Sequence, residues 1–145
     1  ARFNANGNLG IGVDPTTYKL DVNGNVHAVA FPTSSDLRFK KNIKPIQNAL
    51  DSVMKLKGVK YEWNEFINGI RDGYGLGAPI IGFIAQELEQ VLPELVSKRK
   101  LNDDMNDARA VDYPRLVVVL TEAIKEQQSQ IIKLNERVTI LENKK

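Results

Sequence analysis

Apolar positions in this chain change their period from one region to the next. From residue 113 onward they follow a heptad: Val117, Ile124, Ile131 and Val138 fall at a, and Leu120, Gln127, Leu134 and Leu141 at d. Sustained over this length with a single polar lapse, the pattern predicts a coiled-coil helix. Asp112 suits the cap of that helix and Pro114 its first turn. Arg137 at g and Glu142 at the following e are placed for an interchain ion pair. So polar a helix buries only a narrow seam, so self-association is expected.

Between residues 35 and 112 the period alternates between helix and strand. Ile46, Ala49, Leu50, Val53, Met54 and Leu56 follow Pro45 at helical spacing, and Gly58 suits the end of that helix. Val59 to Trp63 alternates as a strand with Val59, Tyr61 and Trp63 on one face, Trp63 being expected as a core anchor. Ile80 to Gln86 reads as a buried strand running into a helix over Glu87 to Leu92, which Pro93 stops. Lys98 to Arg109 reads as a charged turn, and Ala110-Val111-Asp112-Tyr113 as a short strand entering the last helix.

Residues 1–34 have a third character. Asn4 to Val13 mixes Asn and Gly with short apolar beats, suited to tight turns between very short strands. Asp14-Pro15-Thr16-Thr17 reads as a turn, and Tyr18, Leu20 and Val22 alternate with Lys19 and Asp21 as a half-buried strand. Asn23-Gly24 then predicts a hairpin returning through Val26 to Phe31. This segment alone cannot bury enough apolar area to fold, which points to partner chains. The fold class expected is α+β: a short β-rich end over 1–34, a small α/β body over 35–112, and a long coiled-coil helix over 113–145.

The chain has 145 residues, 42% hydrophobic and 26% charged, ordinary values for a folded protein. It begins at Ala1 without methionine, as a piece cut from a longer protein would. It has no cysteine and one histidine, His27, so thiolate and His-cluster metal sites within one chain are excluded. His27 is expected as an ordinary strand residue. No apolar run approaches the roughly 18 to 20 residues that a membrane span needs. Net charge is only +2, which argues against a general nucleic-acid binder. Residues 35–60 do hold seven Lys and Arg against two Asp, but without interleaved aromatic platforms they read as a solvated basic face. No cofactor, metal, membrane or nucleic-acid partner is therefore expected.

Other motifs fall away on inspection. The glycines of Asn68 to Gly77 lack the Gly-Lys-Ser/Thr and the helix that a phosphate loop requires, so a mobile arm is expected there. The carboxylates of Asn102 to Asp107 lack the glycine and terminal glutamate of a calcium loop. Glu87 and Glu89, two apart on a helix, face different ways and form no acid/base pair.

One stretch carries chemistry. In Thr33-Ser34-Ser35-Asp36-Leu37-Arg38-Phe39-Lys40-Lys41-Asn42-Ile43, a hydroxyl and an amine five residues apart can form a serine–lysine pair. Taken whole, Ser35-Asp36-x-Arg38-x-Lys40-x-Asn42-Ile43 resembles the opening motif of the intramolecular chaperone auto-processing domains at the C-termini of phage tailspikes, tail fibres and endosialidases. Gly82 to Val96 and Ala110 to Tyr113 resemble two further elements of that family. Gly10-x-Gly12-x-x-Pro15, followed by Tyr18 to Val26, is similar to the segment that often precedes such domains in fibre proteins.

The resemblance implies a homotrimer on the end of a β-rich shaft, in a virion fibre or spike precursor assembled in the bacterial host cytoplasm. Heptads with β-branched residues at a and Leu at d favour dimers by the usual rule; the resemblance implies trimers. It also implies that Ser35 is a nucleophile with Lys40 as its base, and that the chain is cut between Ser34 and Ser35. Asp36, Arg38 and Asn42 are the supporting residues, Arg38 serving either a developing oxyanion or Asp36. A free lysine with a pKa of about 10.4 is neutral in roughly one molecule in several thousand at pH 7. Lys40 is therefore expected to act only once assembly dries the site. The alternative is a non-cleaving trimerisation cap or receptor-binding tip of the same fold. A hydrolase of foreign substrates has little support, since there is no second serine–histidine–acid set and no convergent carboxylate pair.

Overall fold

The computed structural model of the chain describes residues 1–15, 18–68, 78–100 and 105–144. They form two compact units, each assembled from separated stretches: 1–41, 58–82 and 97–110 in the first, and 42–57, 83–96 and 111–145 in the second. The architecture is mixed α+β, with short helices, one long helix and small sheets.

The second unit holds the buried core. Helix α1 (Ala49–Lys55), helix α3 (Ala85–Val91), the 3-10 turn Pro93–Leu95 and the long helix α4 (Tyr113–Glu142) contribute to it, while the one-turn helix α2 (Glu65–Asn68) belongs to the first unit. Ala49, Leu88, Leu95, Leu116, Val119 and Ala123 are buried together, with Leu50, Val53, Leu56 and Phe83 packed around them. Helix α1 begins later than its apolar spacing suggests. Asn48 sits in the left-handed region, φ 55 and ψ 34, which a helix cannot pass through, so Ile46 and Pro45 stay outside. It also ends earlier: Leu56 is extended, and Gly58 opens the next strand instead of capping the helix. Met54, expected on the apolar face, is exposed.

Helix α3 runs from Ala85, and its N-terminus is held by the carbonyl of Ile84, which accepts from Glu87 and Leu88 N–H. It stops at Leu92, whose helical conformation the ring of Pro93 disfavours. Helix α4 starts as its residues suggest. Asp112 accepts from the backbone N–H of Arg115 at 3.2 Å, and Pro114 lies in the first turn. The Tyr113 hydroxyl accepts from the backbone N–H of Phe83 at 2.9 Å while their rings stack at 6.1 Å, and Asp112 N–H donates to Leu95 O. These bonds anchor the start of α4.

Helix α4 carries two apolar stripes. Leu116, Val119 and Ala123 face the core, whereas Val117, Leu120, Ile124, Ile131, Leu134, Val138 and Leu141 are all exposed in the single chain, as is Gln127. The heptad seam is thus separate from the core-facing stripe.

In the first unit, β1 (Arg2–Phe3), β2 (Leu9–Ile11) and β3 (Leu20–Val22) form a sheet in that order, β1 antiparallel to β2 and β2 parallel to β3. Asn4 closes the β1–β2 turn by accepting from Asn6 and Asn8 N–H, with Gly7 at φ 68. At Gly10 an added Cβ would lie 2.1 Å from Val13 O, so no side chain fits there. The strand over 18–22 does not face as expected: Leu20 is exposed and Val22 only half-buried, whereas Asp21, paired with the buried Gly10 of β2, is buried. The Asn23-Gly24 hairpin does not form. Gly24 is at φ 141 and residues 25–36 take no strand, leaving Val29 and Phe31 exposed.

Strand β4 (Gly58–Tyr61) pairs with β5 (Ile80–Phe83), and β6 (Val96–Arg99) with β7 (Ala108–Val111). Val59 and Tyr61 share the inner face of β4, as their alternation suggests, and Trp63 lies past the strand, half-buried and edge-on to Tyr61 at 5.3 Å. The strand expected over 80–86 stops at Phe83, and Ile81 is exposed, so it is not buried on both faces. The stretch expected as a charged turn over 98–109 supplies the last two residues of β6 and the first two of β7 instead. Thr16 and Thr17 of the expected turn, residues 69–77 of the glycine loop, and Leu101 to Asp104 lie outside the described residues.

Candidate functional site

The site is one short turn. Asp36 caps the 3-10 helix Leu37–Phe39, its Oδ1 accepting from Arg38 N–H at 2.8 Å. Phe39 N–H donates to Asp36 O at 3.1 Å, and Lys40 N–H donates to Leu37 O at 3.0 Å. An aspartate just ahead of a turn competes well for such amides. The same carboxylate also holds the Arg38 side chain with a fork, Nε to Oδ1 at 3.0 Å and Nη2 to Oδ2 at 2.8 Å. The guanidinium and the capped N–H hold the Asp36 carboxyl below the ordinary carboxylate value, and the carboxylate raises Arg38 in return.

On either side of this turn stand Ser35 and Lys40. Lys40 Nζ donates to Ser35 Oγ at 2.7 Å, and both residues are exposed. Extended, a five-residue separation would span about 17 Å. The 3-10 turn, with a rise of only about 2 Å per residue, folds the two side chains onto the same side. Leu37 and Phe39 point outward, 70% and 75% exposed. Ser34 is exposed in irregular backbone.

Of the residues singled out from the sequence, Ser35, Asp36, Arg38 and Lys40 come together, whereas Asn42 contributes a left-handed backbone, φ 55. Of the two partners considered for Arg38, the one it holds is Asp36. The sequence reading gave no role to the 3-10 turn itself. Its signal, an aspartate two residues ahead of an arginine, is short enough to be missed.

Among the described residues no group of side chains could hold a metal ion, and no helix is long and apolar enough to cross a membrane.

The family described as chaperone of endosialidase matches residues 35–97, a span that opens on Ser35. Residues 35–97 belong to that family. The match to this chaperone family takes in the Ser35–Asn42 motif and the whole of Gly82 to Val96. Similar proteins include Long tail fiber protein Gp37 of Enterobacteria phage K3, 36% identical over 115 residues, covering 79% of this chain and 9% of that protein. The protein of the same name from Salmonella phage S16 is 31% identical over 139 residues, 96% of this chain and 17% of its own. Myelin gene regulatory factor-like A of Dictyostelium discoideum is 31% identical over 151 residues, 96% of this chain and 16% of its own. The chain spans less than a fifth of the length of each of these relatives.

Proposed function

We propose that this chain is the C-terminal intramolecular chaperone of a phage tail fibre or spike. It drives trimerisation and folding of the upstream shaft, then releases itself by cutting its own Ser34–Ser35 bond. Its partners are two further copies of itself and the shaft, in a virion fibre or spike precursor assembled in the bacterial host cytoplasm. The observation that carries the reading is the 2.7 Å contact between Lys40 Nζ and Ser35 Oγ, inside a motif that opens the family match. The tail fibre relatives support the setting.

In this mechanism Ser35 Oγ attacks the Ser34 carbonyl carbon through a five-membered ring. Lys40 takes the hydroxyl proton and passes it to the Ser35 nitrogen as the C–N bond breaks. The product is an ester, which water hydrolyses to a Ser34 carboxylate and a chain that starts at Ser35 with a free amine. To accept a proton, Lys40 must first lose one, and burial disfavours the charged amine. Leu37 and Phe39 flank the pair with exposed apolar surface that an assembled neighbour would cover. Cleavage then follows assembly.

The test is a denaturing gel of the assembled chain. Ser35→Ala and Lys40→Ala should each give one uncut band, where the wild type gives two products. Continued cutting in Ser35→Ala would remove the nucleophile from the account. An uncut wild type would leave the permanent trimerisation cap.

A further inference from the structure

We infer that Asp36 and Arg38 act as one clamp: they close the turn that delivers Lys40 to Ser35, and Arg38 is a positioning residue instead of an oxyanion donor. This inference rests on the self-cleavage reading and assigns the residues around its two reacting groups.

The first observation is how little else holds the turn. It is three residues long, and isolated 3-10 turns have poor hydrogen-bond geometry and little intrinsic stability. Its apolar side chains, Leu37 and Phe39, face solvent, so packing does not hold it within the chain. Its internal backbone bonds are those from Phe39 and Lys40 N–H. What remains is the Asp36 carboxylate, which takes the Arg38 N–H and two guanidinium nitrogens at once. A forked guanidinium–carboxylate pair fixes orientation as well as distance.

The second observation is where the clamp sits. Asp36 follows Ser35 directly, and Arg38 stands two residues before Lys40, so closing the fork closes the interval between hydroxyl and amine. Opening it would let that interval lengthen towards the extended value of about 17 Å. Arg38 turns its Nε–Nη2 edge to Asp36, which fixes the direction of the guanidinium and leaves mainly Nη1 for any other acceptor. Stabilising an oxyanion needs donors free to meet the developing charge.

A double-mutant cycle on the full chain separates the two roles, with cleavage at Ser34–Ser35 followed by mass spectrometry and assembly checked by sedimentation. If Asp36 and Arg38 work as a clamp, Asp36→Ala slows cleavage about 100-fold, Arg38→Ala by somewhat less because the cap on its backbone N–H survives, and the double variant no more than Asp36→Ala. Asp36→Asn recovers part of the loss, because its side-chain oxygen still caps Arg38 N–H. Arg38→Lys recovers little, having charge without the fork. The assignment is overturned if Asp36→Ala cuts at the wild-type rate while Arg38→Ala is slow, or if the two losses multiply. A second readout needs no cleavage: in uncut Ser35→Ala, a nuclear Overhauser contact between the residue 35 β protons and the Lys40 ε protons should vanish on adding Arg38→Ala. Its persistence would sink the clamp. An uncut wild type would instead sink the self-cleavage reading, and the proton contact would still decide the clamp.

Discussion

Glu126 caps Ala49 across the space between two helices. Its carboxylate, on α4, accepts from the backbone N–H of Ala49 at 3.0 Å and of Leu50 at 2.9 Å, the first amides of α1. Asn48, the residue in the capping position, is left-handed and gives no side-chain bond, so α4 supplies from a distance what the local sequence does not.

Removing that cap should be costly. Ala49 is fully buried, and Glu126→Ala would leave its amide without a partner, a loss of about 1–3 kcal/mol. Glu126→Gln keeps one acceptor and should fall between the two. Urea unfolding followed by circular dichroism measures both; an unchanged midpoint for Glu126→Ala would mean the contact does not hold α1.

Leu88 tests the centre of the same unit. It is 1% exposed and belongs to the buried cluster with Ala49 of α1 and Leu116 and Val119 of α4. Leu88→Ala should lower stability by about 2–5 kcal/mol through lost transfer energy and the cavity left behind. Met54→Ala, on the exposed side of α1, is the matched control and should change it little. Equal effects of the two would contradict the packing described.

Where residues obey local rules, the sequence reading held. Asp112 and Pro114 announce the start of α4, Pro93 the end of α3, and Val59 and Tyr61 the inner face of β4. It failed where a distant partner decides. Nothing in Pro45 to Leu56 says that Asn48 turns left-handed and that Glu126, far along the chain, takes over the cap. Asp21 of β3 lies inside, opposite Gly10 of β2, against the hydrophobic alternation, and the alternation carries no sign of that non-local partner. At the site, Ser35 and Lys40 were legible as a pair, and what brings them together was not, because a three-residue turn has no periodicity to read.

The Asp36–Arg38 pair makes a pH prediction with a definite sign. Arg38 lowers the folded-state pKa of Asp36, so the pair's contribution is present above the unfolded value of about 3.9 and is lost as pH falls through the lower folded value. Between pH 5 and 8 the clamp should be indifferent to pH. Carbon-detected titration of the Asp36 carboxyl should find its midpoint below the ordinary range, and Arg38→Ala should move it back up. A midpoint unmoved by that substitution would mean the fork does not form in solution.

The heptad seam is where assembly can be tested apart from folding. Ile124, Ile131 and Leu134 are 63%, 43% and 58% exposed in the single chain, while the core-facing Leu116 and Val119 are 8% and 7%. A charge placed at Ile131 touches no part of the buried core, so Ile131→Asp should leave the thermal unfolding of the compact units nearly intact. It should abolish association, since an aspartate at an a position must lose its water among facing apolar side chains. Sedimentation equilibrium reads the mass and a gel reads the cut. The expected result is a folded monomer in which the Ser34–Ser35 bond stays whole. A monomer that cuts itself as fast as the wild type would separate the Ser35–Lys40 chemistry from assembly altogether. An Ile131→Asp variant that still associates would mean the copies meet through some other face of the chain.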